Sequence, residues 1–350
     1  MVRRIGNLWE TLISPENFAL AYERAIKHKK SKRAVKKFEL NRAENLEAVR
    51  QLVASKKFRT ARYHEKQIYE PKPRLIYILP FNPDRIVQHA LMNVLIPIWE
   101  KRFIEESYAC RTGRGMHSGS RKTMEFVRRN KYCLKCDISK FYPSINHDVL
   151  MGMIARKVKD PDVMWLVENI VRSFPGGKNA PIGNFCSQWF GNLYLNELDH
   201  FVKSELKIRD YVRYCDDFCL YHDDKRVLAS AAARLRDYLS SSLKLTFSKC
   251  DLFPVRHGVD FLGYRHFDNY ILLRKSTAKR VMRRLDRLPE MFARGRITFS
   301  HYQSSVGSTK GWLQWANTFN LKIRIRLEEV LRSLREIKNG FKSARAQEIL

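Results

Sequence analysis

The segment Tyr211-Val212-Arg213-Tyr214-Cys215-Asp216-Asp217-Phe218-Cys219-Leu220-Tyr221 constrains the fold of this chain more than any other. Apolar and aromatic residues on both sides read as strands, and two adjacent acids stand where the chain must reverse. Carboxylates crowded at a tight turn repel each other unless a cation lies between them. The pattern predicts a hairpin over residues 211–221 whose tip is built for chemistry; the plainer alternative is a polar hairpin tip. The chain supplies its own control. Tyr221-His222-Asp223-Asp224 repeats Tyr-x-Asp-Asp, but it directly precedes a helical pattern over residues 225–243, so this second pair reads as a helix cap.

A third acid extends the set. Lys135-Cys136-Asp137-Ile138-Ser139-Lys140-Phe141-Tyr142-Pro143-Ser144-Ile145 places Asp137 at the end of an apolar strand over residues 132–138. Strand-end acids from neighbouring strands can share divalent ions. Phosphoryl or nucleotidyl transfer needs such a set: one Mg²⁺ activates a 3′-hydroxyl, and a second, roughly 3.5–4 Å away, stabilises the pyrophosphate leaving group. Between the acidic segments, Pro181-Ile182-Gly183-Asn184-Phe185-Cys186-Ser187-Gln188 reads as a glycine turn entering a helix over residues 187–206. On that helix Phe190, Tyr194, Leu198 and Val202 share a face.

Charge narrows the partner. The chain has 66 Lys and Arg against 36 Asp and Glu, a net charge of +30 in 350 residues, which calls for a polyanion. With 12% aromatic residues it has the composition of a packed protein. The most apolar stretch, residues 90–99, is too short for a bilayer that requires about 20 residues, and the first residues lack the apolar core of a secretory signal, so the expectation is a cytoplasmic protein with no membrane. The odd set of seven cysteines suits reduced thiols. Cys133 and Cys136 form a Cys-x-x-Cys, but in a strand residues three apart face opposite ways, so they read as small buried hydrophobes and not as a zinc site.

The remaining chain reads as α+β, without βαβ winding. Residues 15–57 are helical and very basic, with Ala21, Ala25, Leu46, Val49 and Val53 at helix spacing and a Lys/Arg cluster over residues 27–37. A short proline-bounded β-segment follows at residues 70–80, then a helix over residues 84–103. Leu228, Ala232, Leu235 and Leu239 give the 225–243 helix its apolar face; residues 261–273 read as a second hairpin, and the chain beyond residue 276 as basic helices.

With Asp137, the Gly183 to Ser187 turn and Tyr214-Cys215-Asp216-Asp217 in this order, the chain resembles the reverse transcriptases over about residues 15–325. Glu70-Pro71-Lys72-Pro73-Arg74-Leu75-Ile76 and Asp84-Arg85-Ile86-Val87-Gln88-His89-Ala90-Leu91 look like the fingers motif and the helix after it. Ser107-Tyr108-Ala109-Cys110-Arg111-Thr112-Gly113-Arg114-Gly115 looks like the basic turn facing the triphosphate. Phe247-Ser248-Lys249 and Phe261-Leu262-Gly263-Tyr264 look like motif D and the primer grip. Most reverse transcriptases carry Gln-Gly-x-x-x-Ser-Pro where this chain has Ile182-Gly183-Asn184-Phe185-Cys186-Ser187-Gln188. That variant, the compact length without a maturase, nuclease or integrase segment, and Gly311-Trp312-Leu313-Gln314-Trp315-Ala316-Asn317-Thr318 resemble the reverse transcriptases of diversity-generating retroelements.

The resemblance implies an α+β right-hand polymerase with a basic helical region at residues 1–54, fingers at 55–112 and 145–186, an antiparallel-sheet palm at 113–144 and 187–272, and a helical thumb at 273–350. It implies error-prone cDNA synthesis on a template-repeat RNA, directed to adenines, from deoxynucleoside triphosphates, in a bacterial, archaeal or phage-encoded system. A cDNA/RNA hybrid and a small basic helical accessory variability protein are the implied partners, and two Mg²⁺ ions, with Mn²⁺ as a substitute, the implied cofactors. Asp137 and Asp216 would ligate both metals with the carbonyl of Ile138, Asp217 would support the cluster, and Lys249 would protonate the pyrophosphate. Arg74, Arg111, Arg114, Ile138, Ser139, Phe141, Tyr142, Ile182, Gly183 and Gln188 would bind the incoming nucleotide, and Phe261, Leu262, Gly263 and Tyr264 the primer end. For the arginines the alternative is a surface position, and for Phe261 plain core packing. Rival functions are a retron or group II intron-like reverse transcriptase, an RNA-dependent RNA polymerase, and a non-catalytic RNA-binding scaffold. The aromatic Tyr142, where RNA polymerases of this type tend to carry an Asp for the ribose 2′-OH, separates the second.

Overall fold

The computed structural model describes residues 4–69 and 73–347; Glu70, Pro71 and Lys72 of the expected fingers motif lie outside them. The N-terminal helices are Trp9–Ile13 (α1), Pro15–Ile26 (α2), Arg33–Glu39 (α3) and Arg42–Ala54 (α4). Strands His64–Ile68 (β1) and Arg74–Ile78 (β2) follow, then a kinked turn, Phe81–Arg85, with Asn82 extended, entering Ile86–Glu100 (α5), and Met116–Arg129 (α6). Next come Tyr132–Ile138 (β3), Phe141–Ser144 (α7), His147–Ala155 (α8), Pro161–Val171 (α9) and Phe185–His200 (α10). Tyr211–Tyr214 (β4), Asp217–His222 (β5), Lys225–Ser241 (α11) and Phe247–Pro254 (β6) complete the central part. Val259–Phe261 (β7), Tyr264–His266 (β8) and Ile271–Leu273 (β9) precede Lys275–Ala293 (α12), Phe299–Gln314 (α13), Phe319–Arg324 (α14) and Leu327–Gln347 (α15).

This is an α+β chain with antiparallel pairing in β1–β2, in β4–β5 and through β7–β8–β9. The strand order of the central sheet is β4-β5-β3-β6, which makes the strand carrying Asp137 a neighbour of the 211–221 hairpin. Strand β1, His-Glu-Lys-Gln-Ile, has no apolar alternation to announce it and exists because it pairs along β2, Glu65 opposite Tyr77 and Gln67 opposite Leu75. The expected hairpin at residues 261–273 is instead a three-stranded meander beginning at Val259.

Two compact units divide the chain: Met1–Gly115 with Leu134–Leu220 and Lys225–Leu252, and Met116–Cys133 with Tyr221–Asp224 and Phe253–Leu350. In the first, α5 is buried without interruption from Ile86 to Met92. Asn17 of α2 donates to the carbonyls of Leu12 (2.8 Å) and Ala90 (3.1 Å), satisfying both inside the apolar contact. Helix α10 was expected to be amphipathic, but it is buried all round from Trp189 to Asn196, as befits a central helix. On α11 the buried stripe is Leu228, Ala231, Leu235 and Leu239, with Ala231 in the place expected for Ala232.

The deepest polar contact of this unit lies between α10 and β4. Arg213 and Asp199 are both 0% exposed and form a two-pronged pair, Nε to Oδ1 at 2.7 Å and Nη2 to Oδ2 at 2.6 Å. Tyr211 donates its hydroxyl to Asp199 Oδ1 at 2.7 Å, and Arg213 Nη1 reaches Asn192 Oδ1 (3.3 Å) and the Cys215 carbonyl (3.1 Å). Burial alone would pull the guanidinium pKa down; the Asp199 charge and hydrogen bonds reverse this and hold it above its ordinary value.

In the second unit, β7 and β8 are joined by Leu262 and Gly263, both at positive φ (55° and 82°), the conformation of a two-residue hairpin whose twist matches its strands. A side chain at Gly263 would come within 2.8 Å of the Trp312 ring, so glycine serves packing as well as conformation. Tyr264 joins Leu285, Tyr302, Val306 and Leu313 in this unit's core. Asp223, expected to cap α11, directs Oδ1 to the backbone N–H of Lys131 at 3.0 Å.

Removing one member of a buried ion pair strands the other charge, so Arg213→Met should cost about 3–5 kcal/mol in chemical denaturation, whereas Arg213→Met with Asp199→Leu should recover most of that loss. A single variant as stable as the parent would contradict the network's structural weight.

Candidate active site

Strand β3 delivers Asp137 one residue before its end. Beyond Ile138, which is buried, the Ser139 N–H donates to the Thr246 carbonyl at 2.8 Å. Lys140 then takes a left-handed φ of 42°, starting the one-turn helix α7. The Ser248 hydroxyl of β6 bonds a carboxylate oxygen of Asp137 and also its carbonyl, the latter at 3.1 Å. Cys215 and Asp216 make the two-residue tip between β4 and β5, with Tyr214 opposite Asp217 and Cys215 at a left-handed φ of 54°. Burial raises the Asp216 pKa and the Asp137 charge pushes the same way, while Arg74 and Arg213 oppose them. The charges of both Asp137 and Arg74 thus reach Asp216. Asp217 turns toward Lys135, whose Nζ lies 3.8 Å from Oδ2.

Tyr142 sits on α7 with its phenol pKa pushed up, by burial first and then by Cys215, Cys110 and Asp216. Phe141 is buried beside it, ring centroids 5.2 Å apart. Both rings lie over Gly191 of α10, where an added Cβ would meet Phe141 Cε1 at 3.1 Å and Tyr142 Cε1 at 3.2 Å. Gly191 therefore sets the height of Tyr142 above the helix.

The glycine turn is fastened to β2. Tyr77 N–H donates to the Ile182 carbonyl at 2.7 Å, and Gly183, at φ 123°, lies so close that a Cβ would stand 2.3 Å from the Tyr77 oxygen. Only glycine permits this approach. The Phe185 N–H is received by Gln88 Oε1 (2.9 Å), Ser187 Oγ donates to the Pro181 carbonyl (2.8 Å), and Asn184 Nδ2 donates to the Tyr63 hydroxyl (2.9 Å). Ile182 is half-buried and Gln188 exposed.

Two expectations need correction. Arg111 is not available to a triphosphate: its guanidinium binds Glu100 (2.9 Å) and the carbonyls of Ile104 (2.6 Å) and Ser107 (3.0 Å), and its side chain is 6% exposed. It folds the loop on itself. Lys249, expected to protonate the pyrophosphate, lies within β6 next to Ser248, and strand alternation turns its side chain to the side opposite the Ser248 hydroxyl that meets Asp137. Arg114 packs over the Tyr108 ring at 5.8 Å and remains partly exposed. In the second unit Phe261 and Tyr264 are fully buried, Leu262 nearly so, and Tyr264 stacks on Trp312 at 5.2 Å, so these side chains are core and the Leu262-Gly263 backbone forms the turn.

Sequence reasoning passed over Gln88, Gly191, Ser248 and the Arg213–Asp199 pair. Arg213 carried a signal, a cation inside an otherwise apolar strand; the other three carried none, because their roles arise from partners distant in sequence. Among the described residues no three carboxylate, imidazole or thiol groups converge to enclose a metal ion. The donor set nevertheless suits a hard cation: two carboxylates, of which Asp216 has its pKa raised by burial first and then by the charge of Asp137.

Residues 64–266, more than half of the chain, match the family described as reverse transcriptase (RNA-dependent DNA polymerase). The chain is 25% identical to Protein YkfC of Escherichia coli over 285 residues, covering 65% of this chain and 73% of that protein. It is 26% identical over 132 residues to the group II intron-encoded protein LtrA of Lactococcus lactis, covering 35% of this chain and 22% of LtrA. With the nuclear intron maturase 4 of Arabidopsis thaliana it shares 25% identity over 138 residues, 37% of this chain and 17% of the maturase. The chain thus spans about a fifth of the length of these intron-related relatives. Two strand-end aspartates, a glycine turn pinned to β2 and a matching family over the same residues have one meaning: the chain belongs to the reverse transcriptase family, RNA-directed DNA polymerases that act as nucleotidyltransferases.

Proposed function

We propose that the chain is the reverse transcriptase of a diversity-generating retroelement, making error-prone cDNA from a template-repeat RNA. In this reading residues 55–112 and 145–186 act as fingers, 113–144 and 187–272 as palm, and 273–350 as thumb, and a small basic accessory protein assists. Asp137 and Asp216, with the Ile138 carbonyl, would hold two Mg²⁺ ions, or Mn²⁺ in their place. When bound, these ions supply activation of the primer hydroxyl and charge neutralisation of the pyrophosphate. The chain's own residues do the positioning. Arg74, electrostatically coupled to Asp216, offers a guanidinium fork to the triphosphate, and Arg114 a second. Tyr142, seated on Gly191, occupies the space a ribose 2′-OH would need.

The observation that carries the mutagenic reading is Ile182. Its backbone is tied to Tyr77 and its side chain is aliphatic, so it can pack against a nascent pair but cannot form a hydrogen bond with it. Packing contacts of methylene size discriminate by only about 1–3 kcal/mol. A second reading, a group II intron-like reverse transcriptase, is favoured by the likeness to LtrA and the nuclear maturase. Sequencing the cDNA made by the purified chain on one defined RNA decides between them: errors concentrated opposite template adenines support the first, and a uniformly low error rate the second.

Asp216→Asn should abolish DNA synthesis and, measured without metal, raise the melting temperature. The sign follows from the raised pKa: the ionised carboxylate is disfavoured in the folded state, and a neutral isostere removes that repulsion. Synthesis within tenfold of the parent would sink the metal assignment. Tyr142→Ala should admit ribonucleotides in primer extension, and unchanged sugar selection would move the gate elsewhere. Ile182→Gln should lower misincorporation opposite adenine more than opposite other bases; parallel error spectra would remove Ile182 from the mechanism.

A further inference from the structure

Leu193, Asn196, Glu197 and His200 follow one another on α10 at helical spacing and share a face. It lies opposite the face on which Gly191 supports Phe141 and Tyr142, so nucleotidyl transfer makes no use of it. Together with α8 and the first described residues this face encloses a cavity of about 600 Å³ in the first unit. Its rim is cationic. Arg4, Arg102 and Lys157 line it, and desolvation and the nearby Arg102 charge lower the Lys157 pKa. Its one acidic group among the described residues, Glu197, is matched by Arg156 at 3.1 Å.

The floor differs from the rim. Met153 and Leu193 give it apolar surface, and Asn196, 1% exposed, lies between polar and apolar parts with neither amide atom hydrogen-bonded. A buried amide without partners is rare in folded proteins and asks for a ligand or water to satisfy it. The terminal torsion of an asparagine is broad, so rotation presents its donor and acceptor to the cavity.

We propose that this cavity is a second RNA site, taking one unstacked nucleotide of single-stranded RNA with its phosphate on Arg102 and Lys157 and its base on the Met153–Leu193 floor, read by Asn196. Cations for the phosphate, an amide for the base edge and His200 and apolar surface against the base face match what an unstacked RNA nucleotide needs, and the volume suits a group of this size. The site is independent of the template-repeat reading.

The test is photocrosslinking of a short thiouridine-substituted single-stranded RNA to the full chain, followed by peptide mapping, with primer extension measured in parallel. Crosslinks are expected on the peptides containing Met153 or Leu193–His200. They should be lost in Arg102→Glu with Lys157→Glu, while extension of a short primed template stays within about twofold of the parent. Asn196→Leu, which replaces an unsatisfied amide by an apolar side chain of similar size, should raise thermal stability yet weaken crosslinking about tenfold, the scale of one lost bidentate base contact. Crosslinks absent from these peptides, or unchanged in both variants, would overturn the site. So would equal competition by poly-glutamate, which would mark an acidic-protein surface.

Discussion

Placement of the Cys215-Asp216 turn depends on the buried pair between Arg213 and Asp199. Two fully desolvated charges carry a large penalty, and here every prong of the pair is occupied, which keeps that penalty from unfolding the site. The geometry does more than neutralise charge. Arg213 sits three residues before Asp216, and its Nη1 holds the Cys215 carbonyl at the tip. Its backbone bonds Glu106 and Tyr108, at 2.9 and 3.0 Å, and Asn192 donates to Ala109 at 2.8 Å. Arg213 therefore ties β4 to α10 and to the Cys215 carbonyl through its guanidinium, and to the loop at residues 106–110 through its backbone. An apolar side chain could fill the volume, but it could not make the guanidinium's bonds to α10 and to the tip beside Asp216.

Much of this was legible in the sequence because the relevant signals are local. Tyr132–Ile138 is a strand between the residues expected, and the 211–221 hairpin turns at the Cys215-Asp216 pair, because strand alternation and turn chemistry are written in consecutive residues. Strand β1 was not legible, since it is polar and pairs only because β2 lies beside it. Arg111 looked like a phosphate ligand because a basic loop gives no sign that Glu100 and two carbonyls will close on it. Lys249 illustrates a one-residue parity error: on a strand, a neighbour of Ser248 faces the other way, and only the pairing of β6 reveals which face meets Asp137.

Glycines show where backbone proximity replaces side-chain chemistry. At Gly183 the turn touches the Tyr77 carbonyl, so the position of Ile182 is inherited from the β1–β2 ribbon and not from its own helix. At Gly191 the missing side chain lets two aromatic rings settle on α10. Both positions couple Ile182, Phe141 and Tyr142 to elements whose own sequences carry no signal of the contact.

The acidic pair illustrates the conflict between stability and function in physical terms. Burial disfavours the ionised form of Asp216, and the charge of Asp137 pushes the same way. Arg74 and Arg213 oppose this shift in part, without cancelling it. A chain selected for stability alone would replace one acid by an amide. Keeping both leaves Asp216 with a raised pKa, an arrangement that a bound cation would relieve. The surrounding network, anchored on Arg213, is what allows the fold to hold that unfavourable arrangement.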